Sequence, residues 1–269
     1  MMRAPKAIGP AAIGLAFAAL VGLGAPAVAQ TTQEIKDKGQ INIGMLVDFP
    51  PFGLINNEGK PDGYDADVAR LLAEDLGVEA NLVAVTGPNR IPYLLTGQVD
   101  ILVASLGITP ERAEQVDFSD PYAGIEIFVF GRSDDEVKGP EDLSGQSIAV
   151  ARASTQDNAI TEIAPADANI QRFDDDATAV QALLSGQVPL MGASNVVVSQ
   201  VQAAQPDQYD VKFSLRRQSQ GIATRPGADD LMATINDFLA RKKADGELNA
   251  LHEKWLSAPL PDFVAESAS

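Results

Sequence analysis

Three short strings carry residue types able to hold a small carboxylate. In Gly107-Ile108-Thr109-Pro110-Glu111-Arg112, Thr109 is a natural N-cap, Pro110 takes the first helical position, and Glu111 suits the positive end of the helix dipole. Free backbone N–H groups and the forked guanidinium of Arg112 then share one helix start. That arrangement binds carboxylates, each charge-assisted hydrogen bond contributing roughly 1.5–3 kcal/mol. The competing reading is a surface Arg112 paired with Glu111 or Glu114, and the local string does not choose between them. Ala153-Ser154-Thr155-Gln156 offers hydroxyls and N–H groups at a second helix start, although small polar turns also cap helices with no ligand. Asp48-Phe49-Pro50-Pro51-Phe52 and Gly63-Tyr64-Asp65 set aromatics after the first predicted strand. Such rings wall apolar pockets or, as expected of Phe52, pack the loop. Open α/β sheets bind ligands at the carboxyl ends of their strands, and all three strings fall there.

Other chemistries lack their residues. With one His and no Cys, nucleophile triads and zinc sites have no partners to use, and no metal or cofactor is expected. His252, beside Lys254 and Trp255 in a terminal helix, reads as a structural surface residue. Asp174-Asp175-Asp176 lacks the spaced ligands of a calcium loop and reads as a solvated turn capping the next helix. Glu126 and Asp157 are the plausible buried acids, and Arg90 either pairs with Asp100 or braces a cleft.

Positioning these strings takes a regular scaffold. Short apolar runs alternate with segments of helical period, the mark of an α/β fold. Strands are predicted at 41–46, 78–85 and 100–104, and helices at 65–76 and 89–96. After a turn at Gly145 the rhythm restarts, with strands at 147–151, 170–173 and 190–193 and helices at 155–163 and 177–185. One echo points to two similar lobes: residues 94–105 resemble residues 183–194. Each ends a helix at Gly97 or Gly186, runs through a strand and shows a Ser at its tip. On this reading Ser105 and Ser194 face one cleft from opposite lobes. Extended runs at 125–131 and 220–224 cross between the lobes and act as a hinge. The second lobe, 132–220, is then an insertion into the first, 30–131 plus 221–269. Helices at 228–244 and 247–256 follow, and the tail after Pro259 is expected to fray.

The chain begins like an address. Arg3 and Lys6 precede an uncharged apolar stretch at 8–24, and Ala27-Val28-Ala29 forms a cleavage site. A membrane span wants roughly 20 unbroken apolar residues, whereas Gly9, Pro10, Gly14, Gly22, Gly24 and Pro26 interrupt this run. Residues 1–29 therefore read as a cleaved signal peptide, and with no Cys there is no acyl anchor on cysteine. Without Arg3 and Lys6, 18 basic residues face 37 acidic ones, and the net charge moves from −17 to −19. Such a surface repels nucleic acid and anionic lipid. The apolar content of 45% supports a substantial core.

Several motifs, in order, resemble the extracellular solute-binding proteins of polar amino-acid ABC transporters, family 3. They are Gly63-Tyr64-Asp65-Ala66-Asp67-Val68-Ala69, Gly97-Gln98-Val99-Asp100, Thr109-Pro110-Glu111-Arg112 and Phe118-Ser119-Asp120-Pro121-Tyr122. Leu143-Ser144-Gly145, Gly221-Ile222-Ala223, Asp245-Gly246 and Lys254-Trp255 continue the set. The resemblance implies a type II periplasmic-binding fold, two α/β lobes joined by two crossover strands, and a monomer delivering its ligand to an inner-membrane permease. It assigns the ligand carboxylate to Arg112, with Thr155 clamping it from the second lobe; Ser154, beside Thr155 in the second string, is a further ligand-binding candidate. Ser105 and Gly107 would contact the ligand, Phe49 and Tyr64 would wall the side-chain pocket, and Ala151 falls where relatives select the side chain.

One departure stands out. Where the amino-acid binders usually place an Asp for the ligand α-ammonium, this chain has Ser194. An unpaired buried ammonium costs about 3–5 kcal/mol, while a neutral hydrogen bond returns about 0.5–1.5 kcal/mol. Unless Asp48 or Asp157 substitutes, the expectation is a carboxylate with a modified or absent α-amine. Two other functions use the same fold: a periplasmic dehydratase of the cyclohexadienyl type, and a partner that delivers ligand to a membrane sensor.

Overall fold

The computed structural model describes Met1 and residues 31–266, so the signal peptide expected at 1–29 lies, Met1 apart, outside the described residues. The first elements are α1 (Thr32–Lys38), β1 (Gln40–Leu46), the short β2 (Leu54–Ile55) and β3 (Pro61–Asp62), and α2 (Tyr64–Leu76). Then come β4 (Glu79–Val85), α3 (Arg90–Leu95), β5 (Ile101–Leu102) and the single-turn α4 (Pro110–Ala113). A long strand, β6 (Asp117–Arg132), leads out to β7 (Ser147–Ala151), α5 (Thr155–Ile163) and β8 (Asn169–Phe173). The excursion continues through α6 (Asp176–Leu184), β9 (Leu190–Ser194) and α7 (Asn195–Ala204). A second long strand, β10 (Tyr209–Thr224), returns to α8 (Asp229–Ala244), α9 (Glu247–Leu256) and α10 (Asp262–Ala265).

Local chemistry sets many of these boundaries. A capping box between Thr31 and Glu34 opens α1, and left-handed glycines at Gly39 and Gly77 close α1 and α2. Ser154, Asp175 and Ser194 cap α5, α6 and α7 through their side chains.

Eight strands form one sheet in the order β4-β1-β5-β10-β6-β9-β7-β8. At one end β1 is parallel to β4 and β5; at the other β7 is parallel to β8 and β9. Between them β6 and β10 run antiparallel to each other, β10 against β5 and β6 against β9. The sheet thus consists of two α/β lobes sharing one central ribbon. In the first, Ile41 and Ile43 pack in one core with Val68 and Leu72 of α2 and with Ile101 and Leu102. In the second, Ile148, Val150, Ile160 and Leu190 form their own cluster. Each such fully buried side chain contributes about 1.5–3 kcal/mol.

The ribbon's register breaks between Gln220 and Gly221 and between Gly221 and Ala223, opposite Ala123, Pro121 and Phe118. Residues Ile127 to Gly131 already ladder with β9. The outgoing strand is therefore tied to β9 from Ile127 onwards. The tail differs from expectation: Leu260 and Val264 are buried, and Phe263 lies so close to Gly124 that a Cβ there would meet its ring at 2.5 Å. Apolar side chains one helical turn apart dock the segment on β6, which a composition-based reading misses. None of the described helices is long and apolar enough to cross a membrane.

Candidate functional site

The carboxyl ends of β1, β5 and β7 and the turn after β8 converge on a cavity of about 50 Å³ between the lobes. Of the residues singled out in the sequence, Arg112, Ser105, Thr155, Ser154, Phe49 and Ala151 line it, while Gly107, Tyr64 and Ser194 do not.

Arg112 sits where its string predicts. Thr109 accepts from the Arg112 backbone N–H at 3.3 Å and opens α4, which turns the guanidinium inward. Its Nη1 donates to the Gly107 carbonyl and its Nη2 to the Ala153 carbonyl, both at 2.8 Å. The second bond joins the lobes. The alternative of a surface pair with Glu111 or Glu114 is not what the structure shows, since Arg112 is only 7% exposed. Arg90 stands behind it, donating to the Ala104 carbonyl at 2.8 Å and to that of Ala153 at 3.4 Å. Burial pushes the Arg112 pKa down to about 9, with the Arg90 charge adding to the effect, and burial holds Arg90 at about 10. Two desolvated guanidinia bonded to carbonyls, with no carboxylate in ion-pair range among the described residues, make an anion-seeking wall.

Ser105 adopts φ +46° and Ala153 φ +58°. Left-handed backbone at a non-glycine residue costs roughly 1–2 kcal/mol; Ser105 lines the cavity, and Ala153 lies between Arg152 and Ser154, which do. Ser105 Oγ donates to Asp65 Oδ2 at 2.7 Å, and the Tyr122 hydroxyl donates to Asp65 Oδ1 at 2.7 Å. Burial raises the Asp65 carboxyl to about 6, against the lowering effect of these two bonds. Tyr64 belongs to this support and not to the pocket wall: it is fully buried, donates to the Tyr122 carbonyl at 2.7 Å and stacks on that ring. Phe49 does reach the cavity, stacked 5.3 Å from Phe52.

Thr155 and Gly107 face each other across the lobes. A Cβ on Gly107 would lie 2.6 Å from Thr155 Cγ2, so a side chain there would force the Thr155 side chain to move. Ser154 lines the cavity while its hydroxyl accepts from Asp157 N at 3.0 Å. Ser194 is fully buried and its Oγ accepts from Val197 N at 3.3 Å, so it is a helix cap that does not line the cavity.

Other cavity residues were missed or undervalued. Asp48, Asp174, Asp175 and Asp176 all line it, so the acidic run is not merely a solvated turn. Asp175 caps α6, accepting from Thr178 N at 2.7 Å, as that reading has it. Asp176, however, has its Oδ1 sealed from solvent with no hydrogen-bond partner. Burial, then Asp48 and Asp175, raise its carboxyl to about 7, with Arg90 opposing. Gln220 is 1% exposed, and neither end of its carboxamide has a partner. The strand-end rule that flagged Ser154 after β7 applies equally to the acids after β8; Arg90 stands at the cleft, one of the two places its reading allows, and for Gln220 no local signal exists.

The remaining acids and the histidine lie elsewhere. Glu126 pairs with Arg217 at 2.8 Å and Asp157 with Arg172 at 2.9 Å, so both are ion-paired. His252 is buried, not on the surface; its Nδ1 lies 2.7 Å from the Ala258 carbonyl and burial lowers its pKa. Among the described residues no cluster of three or more His, Cys, Asp or Glu could hold a metal ion.

A cleft between two α/β lobes, spanned by two long strands and lined by buried guanidinia, defines a two-lobed binding protein of the type II periplasmic class. The chain belongs to the bacterial extracellular solute-binding proteins, family 3, whose pattern matches residues 41–258. It is 34% identical over 233 residues to the ABC transporter glutamine-binding protein GlnH of Bacillus subtilis, covering 84% of each chain. It is 28% identical over 228 residues to the L-cystine-binding protein TcyJ of Escherichia coli K12, covering 84% of this chain and 85% of the relative. Among solved structures, a receptor for L-cysteine of Neisseria gonorrhoeae superposes with TM-score 0.79 at 32% identity, covering 84% and 94% of the two chains. The ancestral amino acid-binding protein AncCDT-1, a precursor of cyclohexadienyl dehydratase, gives 0.76 at 33% identity, covering 83% and 98%.

Proposed function

We propose that this chain is the periplasmic receptor of an ABC transporter, a monomer that closes on a compact amino-acid-type ligand and hands it to an inner-membrane permease. The observation that carries the reading is Arg112. Its guanidinium is buried at the lobe junction, bonded only to carbonyls, one from each lobe. A ligand carboxylate would take up the remaining N–H groups, with Thr155 and the start of α5 closing from the far side. Ligand binding then favours the closed arrangement because its contacts come from both lobes. The hinge would be the register break at Gln220–Gly221 and the facing 121–124 stretch of β6.

Titration calorimetry across the proteinogenic amino acids and simple carboxylates tests the reading. Binding in the micromolar range by at least one member is expected, and no binding by any of them at millimolar concentration would sink it.

One observation favours a second reading: a dehydratase needs a general acid in the cleft, and Asp176 is a carboxyl held near neutrality there. Turnover of prephenate or arogenate by the purified protein would decide for it.

A further inference from the structure

We propose that Asp176 at the start of α6 and Asp48 after β1 receive the ligand's ammonium group, taking over the role that Ser194's position cannot fill. The inference rests on the reading of this cleft as an amino-acid site. It reverses the expectation, drawn from Ser194 alone, of a ligand without a free amine.

The cavity's charges are of both signs. Arg112 has Arg90 and Glu111 as its charged neighbours, whereas of the carboxylates Arg90 feels Asp65 first and then Asp48 and Asp176. Two guanidinia and the acids Asp48 and Asp176 thus line one cavity, a match for a molecule with an anionic and a cationic end. Helix chemistry accounts for part of the acidic end: Asp175 caps α6, and a carboxylate at the first helical position suits the dipole. It does not account for an Asp176 oxygen shut off from water with nothing donating to it. Such an atom calls for a donor, and an ammonium brings both N–H groups and the opposite charge.

Gln220 is the independent sign that this space is built for a polar guest. It lines the same cavity from the ribbon, almost wholly buried, with Oε1 and Nε2 both unpartnered. Burying an idle carboxamide is costly unless something bonds to it. Ser105 adds an acceptor: its proton goes to Asp65, which leaves its lone pairs for a donor in the cavity. Ser194 contributes nothing, because its hydroxyl is committed to Val197 N. These groups together select the α-amino acid with a free ammonium, to the exclusion of N-acyl and amine-free carboxylates.

The test uses the tightest-binding proteinogenic amino acid as probe, beside the same carboxylate lacking the amine. Calorimetry compares wild type, Asp176→Asn, Asp48→Asn and Arg112→Ala. Wild type should prefer the free amine at least thirty-fold. Asp176→Asn should shrink that preference below about three-fold while binding the amine-free carboxylate as well as wild type does. Its thermal midpoint without ligand should be unchanged or higher, because a carboxyl with one buried, unpartnered oxygen is removed; if it fails to fold, Asp48→Asn is read in the same way. Equal binding of both probes to wild type, or full preference retained by both Asn variants, overturns the proposal. In that case loss of all binding in Arg112→Ala would leave the amino-acid-type cleft standing. If wild type binds no amino acid and no carboxylate, the cleft reading itself falls and the inference with it.

Discussion

Residues 94–105 and 183–194 are near copies in sequence, yet they end in opposite roles. Both run from a helix through a Gly turn into a short strand and stop at a serine. At Ser105 the backbone turns to φ +46°, and the hydroxyl enters a polar network at the cavity. At Ser194 φ is −81°, the helix α7 starts at once, and the hydroxyl is consumed as its cap. The chain immediately beyond each serine decides its use. After Ser105 it runs on for several residues before α4, long enough to bring Gly107 and Arg112 to the cleft. After Ser194 no spacer exists, and the second lobe draws its cavity-lining groups from the turns after β7 and β8.

The largest expected effect tests that spacer. Arg112→Ala should weaken ligand binding at least a hundred-fold, since two charge-assisted hydrogen bonds at roughly 1.5–3 kcal/mol each are lost. Circular dichroism should show an intact fold, because α4 is short and capped by Thr109. An affinity within ten-fold of wild type would remove the asymmetry between the two strand tips as a functional fact.

Much of this was legible in advance, and the reasons are local. Thr109-Pro110 marks a helix start whatever surrounds it, and the alternation of strands and helices gives the lobes. The failures are tertiary. Tyr64 reads as a loop aromatic, but its hydroxyl is held by the Tyr122 carbonyl, a contact 58 residues distant in sequence. Ser194 reads as a ligand contact because the echo with Ser105 hides a difference in backbone angle. Asp176 reads as solvated because three acids in a row usually are, but the turn after β8 folds into the cavity that Asp48 lines from the other lobe.

A pH series sharpens the contrast on the acidic side. Asp176 titrates near 7 in the folded protein against an ordinary value of 3.8, facing Asp48, Asp175 and Arg90. Between those limits the folded, ligand-free protein holds a proton that the unfolded chain has lost. Asp176 therefore stabilises the empty protein as pH falls from 7 towards 4, and its penalty is complete above 7. Ligand affinity runs the other way, because an ammonium needs the ionised carboxyl. Binding measured by calorimetry should be roughly ten-fold weaker at pH 6 than at pH 8. In Asp176→Asn that slope should flatten, leaving the shares of Asp48, whose carboxyl burial raises, and of Asp65, whose carboxyl lies near 6. An identical slope in the variant would separate Asp176 from ligand binding.

Ser105→Ala should weaken binding three- to ten-fold, the worth of one neutral hydrogen bond at about 0.5–1.5 kcal/mol. It should also lower the unfolding midpoint, since the buried Asp65 loses one of its two side-chain donors. Unchanged affinity would mean that this hydroxyl serves only the Asp65 network.

The smallest effect on binding is the most telling about the echo. Ser194→Ala removes the hydroxyl that Val197 N uses and should cost about 1 kcal/mol of stability, as loss of an N-cap usually does. Denaturant unfolding would read that loss, while calorimetry should return the wild-type affinity. Cap and contact are thereby separated in one variant, because a hydroxyl committed to the helix and sealed from the cavity has nothing to offer a ligand. A drop in affinity as large as that of Ser105→Ala would mean that the strand tips are functional equals after all, and that the acidic end of the cavity does not stand in for the second of them.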